Sequence, residues 1–309
     1  MPEFAGPLGP GRPLGKTGFI ASRLGIGDLA DRSVGLDQCV ATVRRAMDAG
    51  LNVIDTAPGY EDGYSQQIVA QALKGRREEM FVIDKIDHHD QPVAPQVQQS
   101  LRRLEVDHVD LMVFHGASSL DGWRRLTSPG GGLQQLLRCR QDGQTRFVGI
   151  SSHDPDVLLE AMDSGLMDVV LFPVGPYVDR RFVDQVLPAA KRLGVATVCF
   201  KTFGAGKLLG DTEGYSRPLS RRPRGKISSG GADDGQPQLP HLSVRQCVHH
   251  TLTLGPDVAM LGLSFPNEQD AAFAAAMDFT PLSAAQMDRI DRLAAEAIKG
   301  KGRCWWNPQ

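Results

Sequence analysis

The chain has 309 residues, and its 34 lysine and arginine residues nearly balance its 36 aspartate and glutamate residues, for a net charge of −2. Proteins that bind nucleic acid present a basic face or stripe, so this balance argues against a nucleic-acid partner. Hydrophobic residues make up 41% and charged residues 23% of the chain, which excludes a wholly disordered protein. No apolar run approaches the roughly 18 residues of a membrane-spanning helix.

Eight short apolar runs alternate with amphipathic stretches, which is typical of strands and helices around a parallel sheet. In chain order the runs cover residues 23–27, 51–55, 80–83, 109–114, 147–150, 169–172, 196–200 and 258–261. Eight such units predict an α/β fold, a (β/α)8 TIM barrel, and we expect residues 1–309 to form one domain. A doubly wound sheet is disfavoured because no G-x-G-x-x-G follows an early strand.

Two segments interrupt this rhythm. Residues 8–22 contain Gly15-Lys16-Thr17-Gly18 and predict an N-terminal β-hairpin before the first barrel strand. Residues 210–241 lie between strands seven and eight and are rich in Gly, Pro, Ser and Arg. They are too long for an ordinary connection and are typical of a lid, a binding loop or a mobile loop.

The five cysteines are scattered along the chain without a C-x-x-C pair: Cys39, Cys139, Cys199, Cys247 and Cys304. This usage favours free thiols over a disulfide framework or a zinc or iron–sulfur site. It predicts a cytoplasmic protein.

Chemically active side chains follow three neighbouring predicted strands at the point where each strand ends. Asp55 ends the second strand, Lys85 follows the third and His115 follows the fourth, with Tyr60 on the loop after Asp55. The carboxyl ends of barrel strands share one face, where barrel enzymes carry out their chemistry. We therefore expect these four side chains to converge on one cleft.

The four residue types suit proton transfer to a carbonyl oxygen. A phenol has a pKa of about 10 and transfers protons poorly at neutral pH. A neighbouring ammonium would lower the pKa of Tyr60, and a carboxylate would hold that ammonium in place. Tyr60 is thus the predicted general acid and base, with Lys85 and Asp55 as its tuning pair. His115 is predicted to hold the carbonyl oxygen by a hydrogen bond.

Longer segments around these residues carry a recognisable pattern: Gly50-Leu51-Asn52-Val53-Ile54-Asp55-Thr56-Ala57-Pro58-Gly59-Tyr60, then Lys85, then Ser100-Leu101-Arg102-Arg103-Leu104 before the strand that leads to His115, and Phe147-Val148-Gly149-Ile150-Ser151. In order and spacing they resemble the aldo-keto reductase family and its Asp, Tyr, Lys and His tetrad. The resemblance implies NAD(P)H-dependent, reversible reduction of an aldehyde, ketone or sugar-like carbonyl to an alcohol. The expected partner is a small carbonyl or alcohol substrate, with no membrane.

The same resemblance implies a cofactor site at the strand ends. Its expected members are Gly27, Asp28, Ser151, Ser152, Phe172, Phe200, Lys201, Phe203, Gly204, Gly206 and Lys207. Phe200 stands where the family stacks an aromatic ring on the nicotinamide, although it would also suit the barrel core. Small residues in the loop after strand seven would let backbone amides approach the pyrophosphate, and Lys201 or Lys207 could add positive charge there. Ser151-Ser152-His153 stands where the family usually has Ser-Asn, whose side chains hold the carboxamide of the nicotinamide. Phe172 stands where a glutamine usually contacts the same group.

Residues 262–272 align with the segment that holds the adenosine end of the cofactor. Ser264 stands where an arginine or lysine normally contacts the 2′-phosphate, and a hydroxyl cannot form a charged fork. The resemblance favours NADP(H), while Ser264 leaves NAD(H) open, with Asp270 as a ribose or adenine ligand. The basic residues within 217–226 are an alternative phosphate contact or a solvated loop.

Other interpretations stay open. The altered carboxamide and adenine positions fit a regulatory barrel that binds a cofactor with negligible turnover. His88 and His89, with His115 and His153, suit a metal-dependent lyase or isomerase, but adjacent histidines point apart on a strand and no H-x-x-x-H pair exists, so no metal is predicted. Trp305-Trp306 either packs on the barrel or closes the substrate pocket. The sequence does not specify the substrate or the oligomeric state.

Overall fold

Eight parallel strands close into a barrel, which confirms the predicted fold. This computed structural model describes residues 5–6, 8–28, 30, 32, 34–209, 240–262, 266–301 and 303–308. Counted after four short N-terminal strands, the barrel strands are β5 (Leu24–Ile26), β6 (Val53–Asp55), β7 (Phe81–Ile86), β8 (Val109–Phe114), β9 (Thr145–Ser151), β10 (Val169–Pro173), β11 (Ala196–Phe200) and β12 (Val258–Leu261). Strand β12 pairs with β5 and closes the ring.

Antiparallel pairs precede the barrel, and one of them is the predicted hairpin. Strand β1 (Ala5–Gly6) pairs with β2 (Gly9–Pro10), and β3 (Arg12–Pro13) pairs with β4 (Ile20–Ala21). The β3–β4 turn buries Leu14 completely in the same hydrophobic cluster as the side chains inside the barrel. The hairpin therefore covers one end of the barrel and leaves the carboxyl ends of the strands for a site.

Helices surround the barrel between the strands: α1 (Leu36–Asp48), α2 (Tyr64–Leu73), α3 (Val93–Leu104), α4 (Leu120–Thr127), α5 (Gly132–Gln141), α6 (Pro155–Asp163), α7 (Leu187–Leu193), α8 (Val244–Leu254), α9 (Pro266–Met277) and α10 (Ala284–Ile298). Capping boxes begin two of them, with Ser243 and Gln246 at α8 and Ser283 and Gln286 at α10. Within the described ranges, none of the helices combines the length and the apolar composition that a bilayer crossing requires.

Buried apolar side chains form two separate layers because successive strand residues point to opposite faces. One layer fills the barrel and includes Val53, Ile83 and Val113; we call it the barrel interior. The other packs the strands against the helices and includes Ile54 and Val82; we call it the strand–helix layer. A residue's place along a strand therefore decides whether its side chain can reach a cleft at the barrel mouth.

Candidate active site

The alternation of side chains brings three of the predicted site residues to the barrel mouth. Each stands two positions after a residue of the barrel interior: Asp55 after Val53, Lys85 after Ile83, and His115 after Val113. They lie on or just after adjacent paired strands, β6, β7 and β8. The fold thus gathers an acid, an amine and an imidazole at one end of the barrel, as the sequence predicts.

Lys85 and Asp55 form a buried ion pair. The Lys85 ammonium lies 2.5 Å from Oδ1 of Asp55 and donates a second hydrogen bond to the Thr56 carbonyl at 2.7 Å. The Lys85 side chain is only 2% exposed. Burial alone would lower the pKa of Lys85, but attraction to Asp55 and Tyr60 outweighs it and raises that pKa. Lys85 is therefore a fixed positive charge at neutral pH.

Tyr60 reaches the same point from the loop after β6. Three successive residues with left-handed backbone, Glu61, Asp62 and Gly63, turn the chain between Tyr60 and α2. The Lys85 ammonium lies 4.4 Å from the centre of the Tyr60 ring. Burial raises the pKa of the Tyr60 hydroxyl to about 12, although Lys85 acts to lower it. The expectation that Lys85 lowers the pKa of Tyr60 overall is wrong, because desolvation of the phenolate exceeds the attraction.

His115 packs edge-on against Tyr60 and is held by a carboxylate that the sequence reasoning missed. The two ring centres are 5.4 Å apart. Nδ1 of His115 lies 2.5 Å from Oδ1 of Asp87, and the backbone N–H of Gly59 donates to Oδ2 of Asp87 at 2.6 Å. Asp87 stands two positions after Lys85, so the same alternation pointed to it. Asp87 thus links the Tyr60 loop to His115.

The residues predicted around strand one lie beside this group. The backbone N–H of Gly27 donates to the Leu261 carbonyl at 2.9 Å, and a Cβ on Gly27 would come within 3.1 Å of that oxygen. Asp28 is half-buried, and its negative charge acts to raise the pKa of both Asp55 and Tyr60. Both residues therefore border the mouth, and their contact with a cofactor stays a prediction.

The serines predicted near the nicotinamide carboxamide, Ser151 and Ser152, have different surroundings. Ser151 follows Gly149 by two positions, and a Cβ on Gly149 would meet the interior side chain of Val113. Ser151 thus lies on the side of β9 that faces the barrel interior. The next hydroxyl, on Ser152, bonds within its own loop, where it accepts from the backbone N–H of Asp154 at 3.0 Å. Ser151 suits a cofactor contact better than Ser152.

Phe172 does not face the cleft. It is fully buried in the strand–helix layer and stacks on Phe182 with ring centres 5.8 Å apart. Leu171, one position earlier, belongs to the barrel interior. The prediction that Phe172 contacts the cofactor is therefore wrong, because a shift of one residue along a strand moves a side chain to the opposite face.

The loop after β11 contains several residues with left-handed backbone. Four residues have positive φ angles between 52° and 88°: Lys201, Gly204, Ala205 and Gly206. Phe203 is half-buried at the start of the short 3-10 turn Gly204–Gly206. The hydroxyl of Thr202 is buried, and among the described residues it has no hydrogen-bond partner. A buried hydroxyl left unpaired is costly, so this position suits a polar ligand.

Lys207 uses its ammonium elsewhere. The side chain is buried and donates to the carbonyls of Lys301 at 2.5 Å and Arg303 at 3.0 Å, while the Lys301 ammonium donates back to the Lys207 carbonyl at 2.7 Å. The structure therefore contradicts the idea that the Lys207 charge binds phosphate. Its ammonium instead ties the chain terminus to the loop after β11.

Trp305 and Trp306 lie in different surroundings, one at the barrel mouth and one buried. Trp306 is fully buried and donates from Nε1 to the Tyr177 carbonyl at 2.8 Å. Trp305 is 48% exposed, with the Lys201 ammonium 4.2 Å from its ring centre and the His153 ring 5.3 Å away. His153 also meets Phe200 edge-on at 5.4 Å. Trp306 thus packs on the barrel, while Trp305 lies at its mouth.

The adenosine end is described in part. Ser264 lies outside the described residues, as do positions 210–239 of the long loop and its basic run. Asp270, on α9, is exposed and forms an ion pair with Arg45 of α1. In the parts of the chain that the structure describes, no group of three histidine, cysteine, aspartate or glutamate side chains is arranged to hold a metal ion. The five cysteines are free thiols.

Comparison with protein families gives a match over residues 23–295, to the aldo/keto reductase family. The chain belongs to the aldo/keto reductase family. The resemblance drawn from the tetrad and its flanking segments is thereby confirmed, and this aldo/keto reductase is an enzyme of the oxidoreductase class.

Several characterised proteins are similar to this aldo/keto reductase. An NADH-specific methylglyoxal reductase from Escherichia coli (strain K12) is 26% identical over 231 residues, which cover 64% of this chain and 68% of that protein. An L-galactose dehydrogenase from Arabidopsis thaliana is 32% identical over 216 residues, covering 64% and 66%. The aldo-keto reductase YhdN from Bacillus subtilis (strain 168) is 28% identical over 296 residues, covering 82% and 85%.

Solved structures share the fold. The holo form of an aldo-keto reductase from Bacillus halodurans aligns with a TM-score of 0.66 and 25% identity, over 94% of this chain and 98% of that one. An aldo-keto reductase from Klebsiella pneumoniae, solved in complex with NADPH, aligns with a TM-score of 0.68 and 19% identity, over 95% and 96%. The second likeness bears on the fold alone.

Proposed function

We propose that this enzyme uses NADPH or NADH to reduce the carbonyl group of a small aldehyde, ketone or sugar-like molecule to an alcohol, and that the reaction is reversible. The observation that carries the proposal is the convergence of Tyr60, Lys85, Asp55 and His115 at the barrel mouth. A proton donor, a fixed positive charge and an imidazole surround one point there. Convergent groups with perturbed pKa values in a cleft are the expected signature of such a site.

Tyr60 acts as the general acid in this proposal. With a pKa of about 12 it keeps its proton at neutral pH until the substrate oxygen gains negative charge. Lys85 then favours the phenolate that forms, and Asp55 holds the Lys85 ammonium in its buried position. When bound, the reduced nicotinamide supplies the hydride that adds to the carbonyl carbon. His115 stabilises the developing charge on the oxygen.

The end of β11 offers features that suit a nicotinamide dinucleotide. Phe200 has the parity of the barrel interior and is half-buried, so part of its ring is open at the mouth. Ser151 ends β9 on the same interior face, and the unpaired Thr202 hydroxyl lies in the loop that follows β11. We assign the nicotinamide end to Phe200 and Ser151, and the phosphates to the loop that includes Thr202 and Gly204.

The choice between the two cofactors depends on the adenosine end. We propose NADP(H) as the preferred cofactor on the family resemblance, with NAD(H) as the alternative because Ser264 replaces a cation. The relative from Escherichia coli is NADH-specific, which shows that such a preference occurs among similar proteins. Separate titrations of NADPH and NADH by tryptophan fluorescence measure both Kd values. A lower Kd for NADPH is expected, and a lower Kd for NADH would contradict this preference.

The relatives suggest which carbonyl compounds to test. One relative reduces methylglyoxal, an α-oxoaldehyde, and another is a dehydrogenase of L-galactose, a sugar. We propose small oxoaldehydes and sugar-like carbonyls as the substrate class. The free thiols support a cytoplasmic location, since disulfides are rare in that compartment.

Replacing Tyr60 tests the role of the phenol. For Tyr60→Phe we expect kcat for carbonyl reduction to fall by about 10²–10⁴-fold, because a positioned proton donor contributes about that much. Steady-state rates with a panel of carbonyl compounds measure this, and the fluorescence titration measures whether the cofactor still binds. Cofactor binding by the wild-type enzyme without turnover on any compound would contradict the proposed function.

A matched control is Tyr64→Phe. Tyr64 lies on the same loop and helix junction, but its hydroxyl donates to the Val34 carbonyl at 2.9 Å instead of facing Lys85. This variant is expected to keep wild-type kcat. Full activity in Tyr60→Phe would remove Tyr60 from the proton-transfer step.

A further inference from the structure

Asp87 connects two parts of the site. Its Oδ1 lies 2.5 Å from Nδ1 of His115, and its Oδ2 accepts the backbone N–H of Gly59, next to Tyr60, at 2.6 Å. The Asp87 side chain is only 17% exposed. The carboxylate is thus held on both oxygens, and its contacts fix the direction in which Nδ1 of His115 points.

The protonation of Asp87 decides which ring nitrogen of His115 carries hydrogen. Burial alone would raise the pKa of Asp87, but the contacts with His115, Gly59 and Lys85 outweigh it and lower that pKa. Asp87 is therefore ionised at neutral pH, and an ionised carboxylate only accepts hydrogen bonds. Nδ1 of His115 must then donate to it.

This hydrogen bond restricts what His115 can do at the cleft. A neutral imidazole has one N–H, so a proton on Nδ1 leaves Nε2 with a lone pair. A lone pair cannot donate to a carbonyl oxygen. The doubly protonated imidazolium carries an N–H on both nitrogens and can donate from Nε2 while Asp87 holds Nδ1.

We propose that Asp87 is a positioning residue that fixes the proton of His115 on Nδ1, so that His115 assists carbonyl reduction only as the imidazolium. The proposal rests on the function proposed above. It makes reduction depend on the charge of His115, and it adds Asp87 to the residues that the reaction requires.

Other charged and titratable groups lie near His115 or its partner Asp87. They are Asp55, Tyr60, Lys85, His89 and His153. Attraction to Asp55 raises the pKa of Lys85, so its ammonium keeps its charge, and Tyr60 stays protonated with its pKa of about 12. Burial lowers the pKa of His89, and burial together with Lys201 lowers that of His153 to about 4, so both stay neutral.

The variant Asp87→Asn reverses the proton arrangement. The Gly59 N–H needs an acceptor, so the amide oxygen of the asparagine should face Gly59 and its NH₂ group should face His115. The NH₂ group then donates to Nδ1, and the neutral ring carries its proton on Nε2. Neutral His115 would now be able to donate to the substrate oxygen.

The pH dependence of kcat/KM for reduction separates the two arrangements. In the wild-type enzyme we expect kcat/KM to fall as pH rises and the imidazolium loses its proton, by about tenfold per pH unit. In Asp87→Asn the fall between pH 6 and pH 9 should shrink to less than about threefold. The control Asp90→Asn, an exposed position on the same loop, should keep the wild-type profile. A profile in Asp87→Asn that matches the wild type would overturn the proposal.

Nitrogen-15 NMR of labelled wild-type protein shows which ring nitrogen of His115 carries the proton. This measurement does not require enzyme activity. The His115 signals are assigned by their loss in His115→Asn. When the ring is neutral, we expect Nδ1 to be protonated and Nε2 to show the shift of a nitrogen with a lone pair. A proton on Nε2 would overturn the proposal. Absence of any reductase activity would instead count against the proposed function, because the NMR result does not depend on turnover.

Discussion

Asp84 and Lys85 are neighbours in β7, yet their side chains lie on opposite faces of the strand. Lys85 faces the barrel mouth, whereas Asp84 is fully buried towards the helices and accepts from the Gln66 side chain and from the Lys85 backbone N–H, both at 2.8 Å. Burial raises the pKa of Asp84 to about 6, although hydrogen bonds from Ser100 and others oppose it. A carboxyl group one residue from the proposed catalytic amine therefore affects stability instead of catalysis.

This burial predicts a specific pH dependence. An unfolded chain releases the Asp84 proton at about pH 4, whereas the folded protein holds it until about pH 6. Between these values the folded state binds more protons, so Asp84 makes stability fall as pH rises, by about 2–3 kcal/mol in total. The difference in free energy of unfolding between wild type and Asp84→Asn should shift by this amount in favour of the variant from pH 4 to pH 7.

Urea unfolding at pH 4, 5, 6 and 7 measures the shift. The exposed carboxylate Asp163, at the end of α6, provides the control Asp163→Asn, which removes a carboxyl group that folding does not bury. A pH-independent difference for Asp84→Asn would show that Asp84 is already ionised in the folded protein at pH 4.

Single residues show how far sequence reasoning reached. The predicted strand ends indicated correctly that Asp55, Lys85 and His115 share the barrel mouth. The expected cofactor contact of Phe172 was wrong, because a strand reverses its faces at each step and Phe172 lies on the helix side of β10. The raised pKa of Tyr60 could not be predicted from the sequence, because burial of a phenol depends on residues from several strands.

At the scale of elements, the chain terminus is fastened to the loop after β11. The ammonium groups of Lys207 and Lys301 each donate to carbonyls on the other segment. Buried Trp306 adds a further contact through the Tyr177 carbonyl. These contacts hold Trp305 near Lys201 and His153 at the barrel mouth. The order of the terminal residues thus affects the shape of the cleft.

The variant Lys207→Met tests this attachment. It leaves the buried carbonyl of Lys301 without its donor, which costs about 1–3 kcal/mol, and it also removes the hydrogen bond to the Arg303 carbonyl. We expect faster amide hydrogen exchange across residues 303–308, measured by mass spectrometry. The control Lys299→Met removes an exposed pair with Glu296 and should leave exchange unchanged. Unchanged exchange in Lys207→Met would mean that the lysine does not fasten the terminus.

Element-scale features were only partly readable from the sequence. The hairpin before the barrel and the strand order followed from turn residues and apolar runs. The Lys207–Lys301 contact joins residues 94 positions apart, and neither lysine has a local pattern that points to the other. A basic residue in a glycine-rich loop therefore suggested phosphate binding, whereas the fold gives it a structural partner.

At the scale of the whole molecule, barrel closure depends on close approach of neighbouring strands. Gly149 of β9 pairs with Val169 of β10, and a Cβ at Gly149 would lie 2.3 Å from the Val169 carbonyl. Gly149→Ala is expected to lower the free energy of unfolding by about 2–3 kcal/mol, because added atoms in a packed site force the backbone apart. Urea unfolding measures the change.

A glycine in open space provides the comparison. Gly35 precedes α1, and a Cβ there would meet nothing within 4 Å. Gly35→Ala should change stability by less than about 1 kcal/mol. If the two variants lose equal stability, the β9–β10 contact is not as tight as the barrel requires. The organisation of residues 1–309 as one domain stays a prediction.

The central claim is that the whole barrel brings Tyr60 and a bound nicotinamide to the two atoms of one carbonyl group. Incubation with an aldehyde and NADPH or NADH deuterated at the hydride-donating carbon tests it most directly, with mass spectrometry of the product. The wild-type product should carry one deuterium on its carbinol carbon, and Tyr60→Phe should form it at about 1% of the wild-type rate or less. Product without deuterium, or no product from any aldehyde while the cofactor is bound, would contradict the account.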